Sequence, residues 1–250
     1  MTPGTVTTII NGGLTLSEYP EGIRFGTDAL LLSAFALPEL KKGVCADFGT
    51  GSGILPLLLL SAGCPCSFAA VELQEKYAHL AQENAGENGY ADRMRVLCGD
   101  VRDREIQKML GPISAVVSNP PYLKTGAGKQ NLSEEKRLAW HEEFLTAKEL
   151  AESASRVLQQ GGRFFCIYLP ERLTGLLSAL REFRLEPKRM QLVCPSPGEK
   201  PSLVLIGAVR GAKEGMVCEA PFYLYEDRAH KQESERLRAV YRLFGDRNHA

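Results

Sequence analysis

The sequence predicts an α/β fold: a mostly parallel sheet with helices on both faces and an antiparallel pair at its C-terminal edge. Two observations carry this. Brief apolar runs bounded by turn or charged residues alternate with helical patterns along most of the chain. A strand that feeds a helix, repeated in this way, implies parallel strands joined by crossovers.

The predicted strands are Val44–Phe48, 66–73, Met94–Cys98, Ile113–Ser118 and 163–169. Between and after them lie helical stretches at 55–62, 75–88, 134–159 and 171–184. The last of these places Leu173, Leu176, Leu177, Leu180 and Phe183 on one apolar stripe. Segments 190–193 and 203–209 flank the turn Pro195-Ser196-Pro197-Gly198 and read as an antiparallel pair. A short extended piece at 222–225 and a terminal helix at 233–244 complete the pattern. With no repeat, low-complexity tract or long linker, one domain is expected over 1–250: an N-terminal segment (1–43), a core (44–211) and a C-terminal extension (212–250).

Composition narrows the function classes. Of the 250 residues, 44% are hydrophobic and 24% charged, which excludes a disordered chain. Thirty basic residues balance thirty acidic ones, so any grip on nucleic acid comes from a local face rather than bulk charge. The seven cysteines (45, 64, 66, 98, 166, 194 and 218) form no CxxC pair, and the cramped Cys64-Pro65-Cys66 offers no zinc site; reduced thiols and no metal are expected. The opening residues lack a signal-peptide pattern, and no apolar run approaches the ~20 residues of a bilayer span. A soluble, cytoplasmic protein is the expectation.

Asp47-Phe48-Gly49-Thr50-Gly51-Ser52-Gly53 follows a strand and opens a helix. Glycines there allow a tight turn and close approach of backbone to a ligand. The spacing is neither GxGxxG nor a phosphate-gripping P-loop. Glu72 closes the second strand, where an acid can accept both hydroxyls of a ribose. Asp100 follows the third, where it could accept from an adenine amine. Ligands of open α/β sheets bind beyond the carboxyl ends of the strands, so Asp47, Glu72 and Asp100 should converge there. Capping of the next turn is the plainer alternative for each acid.

Asn119-Pro120-Pro121-Tyr122 comes directly after the fourth strand. Two prolines stiffen the backbone and remove two donors, leaving acceptors that suit a substrate NH₂. An amide or exocyclic amine is a poor nucleophile because its lone pair is delocalised. Bonds from its two N–H groups to the Asn119 side-chain oxygen and the Pro120 carbonyl favour a more tetrahedral nitrogen and orient it. Tyr122 would stack on the planar group. The bland alternative is a rigid turn with a caged aromatic.

The DFGTGSG loop resembles the S-adenosylmethionine loop of Rossmann-like methyltransferases, and NPPY resembles the (N/D)PP(Y/F) signature of enzymes that methylate adenine N6, cytosine N4 or glutamine N5. FGTDALLL (25–32) has Thr27 placed as an N-cap and Asp28 as a first-turn acid. With AAVEL, NPPYLKT, AWHEEF, LPERL, REFRLEPKRM and LVLIGAVRG, it is similar to the bacterial tRNA-Val (adenine-N6)-methyltransferase family, which acts on adenine 37 of the anticodon loop. The resemblance implies a class I fold with a seven-stranded sheet, and S-adenosylmethionine as cofactor. It places Phe25, Gly26, Thr27, Asp47, Gly49, Gly51, Gly53, Glu72, Leu73, Asp100, Val101 and Asn119 around that cofactor, under the N-terminal helix. It also puts Asn119, Pro120, Pro121 and Tyr122 at the acceptor.

RNA, with tRNA first, is the implied partner, and the target adenine would have to unstack to enter the cleft. Lys124, Lys129, Lys188 and Arg189 are the candidate phosphate contacts; the last two lie in a span (181–213) with seven basic and three acidic residues. Where close relatives read Ala-Arg-His-Glu, this chain reads Ala139-Trp140-His141-Glu142, so Trp140 could stack on a base or simply pack. A glutamine methyltransferase of a release factor, a ribosomal-RNA methyltransferase and a non-catalytic partner subunit stay open as alternatives.

Overall fold

The structure, a computed structural model, describes residues 4–10, 13–20, 26–120 and 145–245. Phe25, Pro121, Tyr122, Lys124, Lys129, Trp140 and His141 lie outside the described residues.

Seven strands form the body of the main sheet. They are β3 (Val44–Phe48), β4 (Ser67–Glu72), β5 (Met94–Cys98), β6 (Ile113–Ser118), β7 (Leu158–Tyr168), β8 (Leu185–Cys194) and β9 (Leu203–Arg210), in spatial order β8-β9-β7-β6-β3-β4-β5. All neighbours among β7-β6-β3-β4-β5 are parallel, and β9 runs antiparallel to both β7 and β8. The seven-stranded expectation holds for this body. The edge differs: two-residue strands β10 (Val217–Cys218) and β11 (Phe222–Tyr223) run parallel along β8 and cover part of its outer side.

The central strands are nearly continuous in Ala, Val, Cys and Phe because helices bury both their faces. One face carries α1 (Thr27–Ala36), α2 (Ile54–Ser61), α3 (Glu75–Glu87) and α7 (Glu235–Leu243), packed on Cys45, Phe68, Phe165 and Ile167. The other carries α4 (Arg104–Leu110), α5 (Ala147–Val157) and α6 (Leu173–Glu182), packed on Phe48, Val116, Phe164 and Ile206. α1 and α2 are apolar on nearly every side because each has neighbours all round: Leu30, Leu31, Leu32 and Phe35, and Leu55 through Leu60, are buried.

Several expectations are corrected. Thr27 is not the N-cap of α1; Gly26 holds that position without a side-chain cap bond, and Thr27 is the first helical residue. The helix expected to reach residue 159 ends at Val157, and Leu158 already begins β7. There Gly161 takes a left-handed φ of 76° within an irregular pairing to β6. β8 starts five residues before the expected Met190, with a register shift between Pro187 and Arg189.

A hairpin of β1 (Val6–Ile10) and β2 (Leu14–Glu18) precedes the core and had no counterpart in the sequence reading. Asn84 on α3 and Asn88 at its C-cap, one helical turn apart, take the place of its next strand. Asn84 accepts from the Ser17 N–H at 2.9 Å and donates to the Ser17 and Ser52 carbonyls, and Asn88 both accepts from and donates to the Thr15 backbone. Asn84 is fully buried, so Asn84→Ala strands backbone groups that water cannot reach. We expect it to cost at least about 2 kcal/mol, read as a melting temperature lowered by about 5 °C. An unchanged melting curve would mean that the hairpin is held by Leu14 and Leu16 alone.

Candidate active site

The order of the strands decides where a ligand can sit. From β3 the chain moves outward through β4 to β5, then returns to β6 on the other side of β3 and continues to β7. The crevice between β3 and β6 is therefore the switch point, open at the carboxyl ends of the strands. Asp47 pairs in register with Val117, so the glycine loop and Asn119 emerge side by side. The Ser118 hydroxyl donates to the Phe48 carbonyl at 2.9 Å and ties the two strand ends together.

The glycine loop is hung from β4. Gly49 and Thr50 both donate their N–H to the Val71 carbonyl, and the Gly51 N–H donates to Glu72 Oε2 at 2.9 Å. Glu72 Oε1 accepts from the Gln74 N–H at 3.0 Å, so this carboxylate stands 8% exposed at the tip of β4 with both oxygens turned to backbone donors. Gly49 and Gly51 have φ of 77° and 57°, and a Cβ on either would meet nothing within 4 Å. Their missing side chains leave a cradle. Gly53 answers a different need: its Cβ would stand 2.9 Å from Met94 Cε and 3.3 Å from Ala81 Cβ, so a bare backbone lets α2 start against α3 and β5.

Asp47 is fully buried on the α1–α2 side of the sheet, and neither of its carboxylate oxygens has a hydrogen-bond partner among the described residues; the Thr50 hydroxyl is orphaned too. Burial pushes the Asp47 carboxyl up to about 7; the Thr50 hydroxyl close by, though not hydrogen-bonded to it, opposes the rise, and the Glu72 charge adds to it. Orphaned acceptors of this kind mark a place built for a donor or cation that the chain itself does not supply.

Asp100 is held rather than open. Arg102 grips both its oxygens through Nε and Nη2, and the Arg102 backbone N–H adds a further bond to Oδ1. Burial raises the Asp100 carboxyl, but these bonds and the guanidinium charge outweigh it and hold it below the usual carboxylate range. Arg102 Nη1 continues to Glu149, 3.1 Å away, inside the capping box that Thr146 and Glu149 form at the start of α5. Sequence reasoning missed Arg102, because a lone arginine two residues beyond an acid carries no spacing signal. Leu73 is 42% exposed beside Glu72, whereas Val101 is buried against α4.

Asn119 projects from the end of β6 next to buried Pro120, and its Nδ2 donates to Asp28 Oδ2 at 3.0 Å. The Asp28 carboxylate bends over the start of α1, where Oδ1 also accepts from the Ala29 N–H. Gly26 makes room for this: a Cβ there would stand 2.9 Å from Asp28 Oδ1. The structure thus brings Gly26, Thr27, the glycine loop, Glu72, Asp100, Asn119 and Pro120 to the same end of the sheet.

Lys188 and Arg189 lie elsewhere. Arg189 pairs with Glu39 and Glu219, donates to the Phe35 carbonyl and stacks 3.9 Å from the Phe35 ring centroid. It therefore sits at the far end of α1, on the order of 10 Å along the helix from Asp28. Lys188 donates to the Lys213 carbonyl, and Arg181 pairs with Glu186 and Glu214. Three of the seven basic residues of this span, Arg181, Lys188 and Arg189, thus join β8 to its neighbours. A cavity of about 270 Å³ between Arg163, Arg189 and Val217 belongs to the same ion-paired cluster. All seven cysteines are free thiols, and no helix among the described residues is long and apolar enough to cross a membrane.

Comparison with known proteins bears on the family and the fold. Residues 21–174 match the methyltransferase small domain family. The tRNA1(Val) (adenine(37)-N6)-methyltransferase of Bacteroides fragilis is 30% identical over 188 residues, which span 74% of this chain and 76% of that one. The enzyme of the same description from Porphyromonas gingivalis is 29% identical over 73% of each chain. The crystal structure of a predicted O-methyltransferase of Agrobacterium tumefaciens superposes with a TM-score of 0.70 at 20% identity, over 87% of this chain and 97% of that one, and supports the fold. The chain belongs to the methyltransferase small domain family, among the relatives of the tRNA1(Val) (adenine(37)-N6)-methyltransferases.

Proposed function

We propose that this protein transfers a methyl group from S-adenosylmethionine to the exocyclic N6 of an adenine in tRNA, at position 37 of the anticodon loop of a valine tRNA. The observation that carries the reading is the pairing, across the β3–β6 crevice, of a glycine cradle with the Asn119-Pro120 corner, at strand ends tied by Ser118. The named activity of the relatives from Bacteroides fragilis and Porphyromonas gingivalis supplies the acceptor.

The residues present fit the cofactor. Gly49 and Gly51 leave open space, the orphaned Asp47 carboxylate calls for a donor or positive charge, and Glu72 carries acceptors suited to ribose hydroxyls. Leu73 offers exposed apolar surface beside them for a flat ring. When bound, S-adenosylmethionine supplies an electrophilic methyl on a sulfonium. The chain's own part is to orient the acceptor. The Asn119 side-chain oxygen and the Pro120 carbonyl accept from the two N–H groups of the adenine amine, which draws its lone pair out of conjugation and holds it in line. No strong base is required, because the methylated ammonium is acidic enough to release its proton afterwards.

Asp100 is expected to accept from the cofactor's adenine amine at the outer end of the site, with Arg102 fixing its angle. Asp100→Ala should therefore weaken S-adenosylmethionine binding about tenfold or more by calorimetry, with tRNA affinity little changed. Unaltered cofactor affinity would remove Asp100 from the site. The acceptor assignment is tested by offering labelled S-adenosylmethionine with fractionated cellular RNA and release factors, followed by nucleoside analysis. N6-methyladenosine in the tRNA fraction is the expected product; label in ribosomal RNA or protein alone refutes it.

A further inference from the structure

We propose that Asp28 is a positioning residue for methyl transfer: its carboxylate sets which way round the Asn119 carboxamide stands. The inference rests on the proposed role of Asn119 as an acceptor and adds a second residue, 91 positions away in the chain, that makes that role possible.

A carboxamide has a donor half and an acceptor half of nearly equal shape, so its orientation is set by its neighbours. Asp28 Oδ2 lies 3.0 Å from Asn119 Nδ2, and an ionised carboxylate can only accept. The NH₂ half therefore faces Asp28, in a charge-assisted bond, and Oδ1 is the half left for the acceptor amine. With the amide turned over, oxygen would face oxygen at Asp28, and a donor would face the N–H groups of the substrate. Both contacts fail together, so a single acid selects the productive state.

Asp28 is itself anchored. Its Oδ1 accepts from the Ala29 N–H at 3.0 Å at the start of α1, and Gly26 leaves the space in which that oxygen lies. This anchoring makes the test unusually specific. In Asp28→Asn the amide oxygen keeps the Ala29 bond, and the new NH₂ group takes the place of Oδ2. It then drives Asn119 into the inverted orientation. Asp28→Ala, by contrast, removes the selection without imposing the wrong one.

Steady-state kinetics on a valine tRNA transcript tests the proposal, with folding checked by thermal melting. Asp28→Asn is expected to lower kcat about 100-fold, with KM for tRNA and the dissociation constant of S-adenosylmethionine little altered. Asp28→Ala should lose less than Asp28→Asn, an order that a merely structural role would reverse. Asn119→Asp sets two carboxylates against each other and should be nearly inactive. The double variant Asp28→Asn/Asn119→Asp restores a donor facing an acceptor and should recover at least about tenfold over Asn119→Asp.

Wild-type turnover in Asp28→Asn, no recovery in the double variant, or a loss accounted for by weaker cofactor binding would each overturn the proposal. If Asn119→Ala itself stays active, the reading of Asn119 falls. If Asn119→Ala is dead and Asp28→Asn is unaffected, only the role of Asp28 falls.

Discussion

Asn119→Ala is expected to lower kcat for methyl transfer by about 10²–10³-fold while S-adenosylmethionine still binds. In the proposed reading the change deletes one of two acceptors for the reacting amine and leaves the Pro120 carbonyl alone. A group that stabilises charge rearrangement in the transition state is felt in kcat rather than in ground-state affinity, so KM for tRNA should move little. The bond to Asp28 is lost in the same step, but Asp28 remains anchored to α1 through Ala29, so the fold should hold. Single-turnover rates and cofactor binding measured on one preparation separate these effects. Equal losses in both would move Asn119 from the acceptor to the cofactor.

The second large effect concerns Asp47, where stability and function oppose each other. Unfolded, this carboxyl titrates near 3.8; folded, burial pushes it up to about 7. The native protein therefore retains a proton between those values that the unfolded chain has released. Stability from this group is undiminished below about pH 4, falls as pH rises through the interval, and carries its full cost above about 7. That cost is roughly 4 kcal/mol from the separation of the two values. Asp47→Asn removes it. The melting temperature of the variant should match the wild type near pH 4, exceed it increasingly up to about pH 7, and keep a constant margin beyond. The same variant should bind S-adenosylmethionine on the order of 100-fold more weakly if, as proposed, the charge that burial makes costly is the one that meets the cofactor. A melting difference that ignores pH would show that Asp47 is not the titrating group.

Much of the frame was legible in the sequence. β3 and β6 end where their apolar runs end, because a strand buried on both faces writes itself as an unbroken run, whereas β5 is the edge strand, its run broken by exposed Arg95. The glycine loop, Glu72 and the Asn119-Pro120 corner were legible because they depend on local backbone needs at the ends of strands. What escaped depends on contacts between distant residues. The β1–β2 hairpin is held by Asn84 and Asn88, two polar residues that look unremarkable on a helix until the edge of β2 lies beside them. The first half of β8 hid because Glu186 and Lys188 alternate with buried Leu185 and Pro187, a bulge then breaks the period at Arg189, and the charges read as a solvated face although Arg189 is committed to Glu39 and Glu219. Thr27 looked like a cap by residue type, yet it is already the first residue of the helix, with Gly26 at the N-cap, and it is Asp28 that turns back to bond the helix start.

The most direct test offers the protein two transcripts of one valine tRNA, with adenine or guanine at position 37, together with labelled S-adenosylmethionine. The account predicts label in the first transcript, recovered as N6-methyladenosine, and none in the second, which has an oxygen where the amine must be. Equal labelling of both transcripts, or none in either from a protein that binds the cofactor, would contradict it.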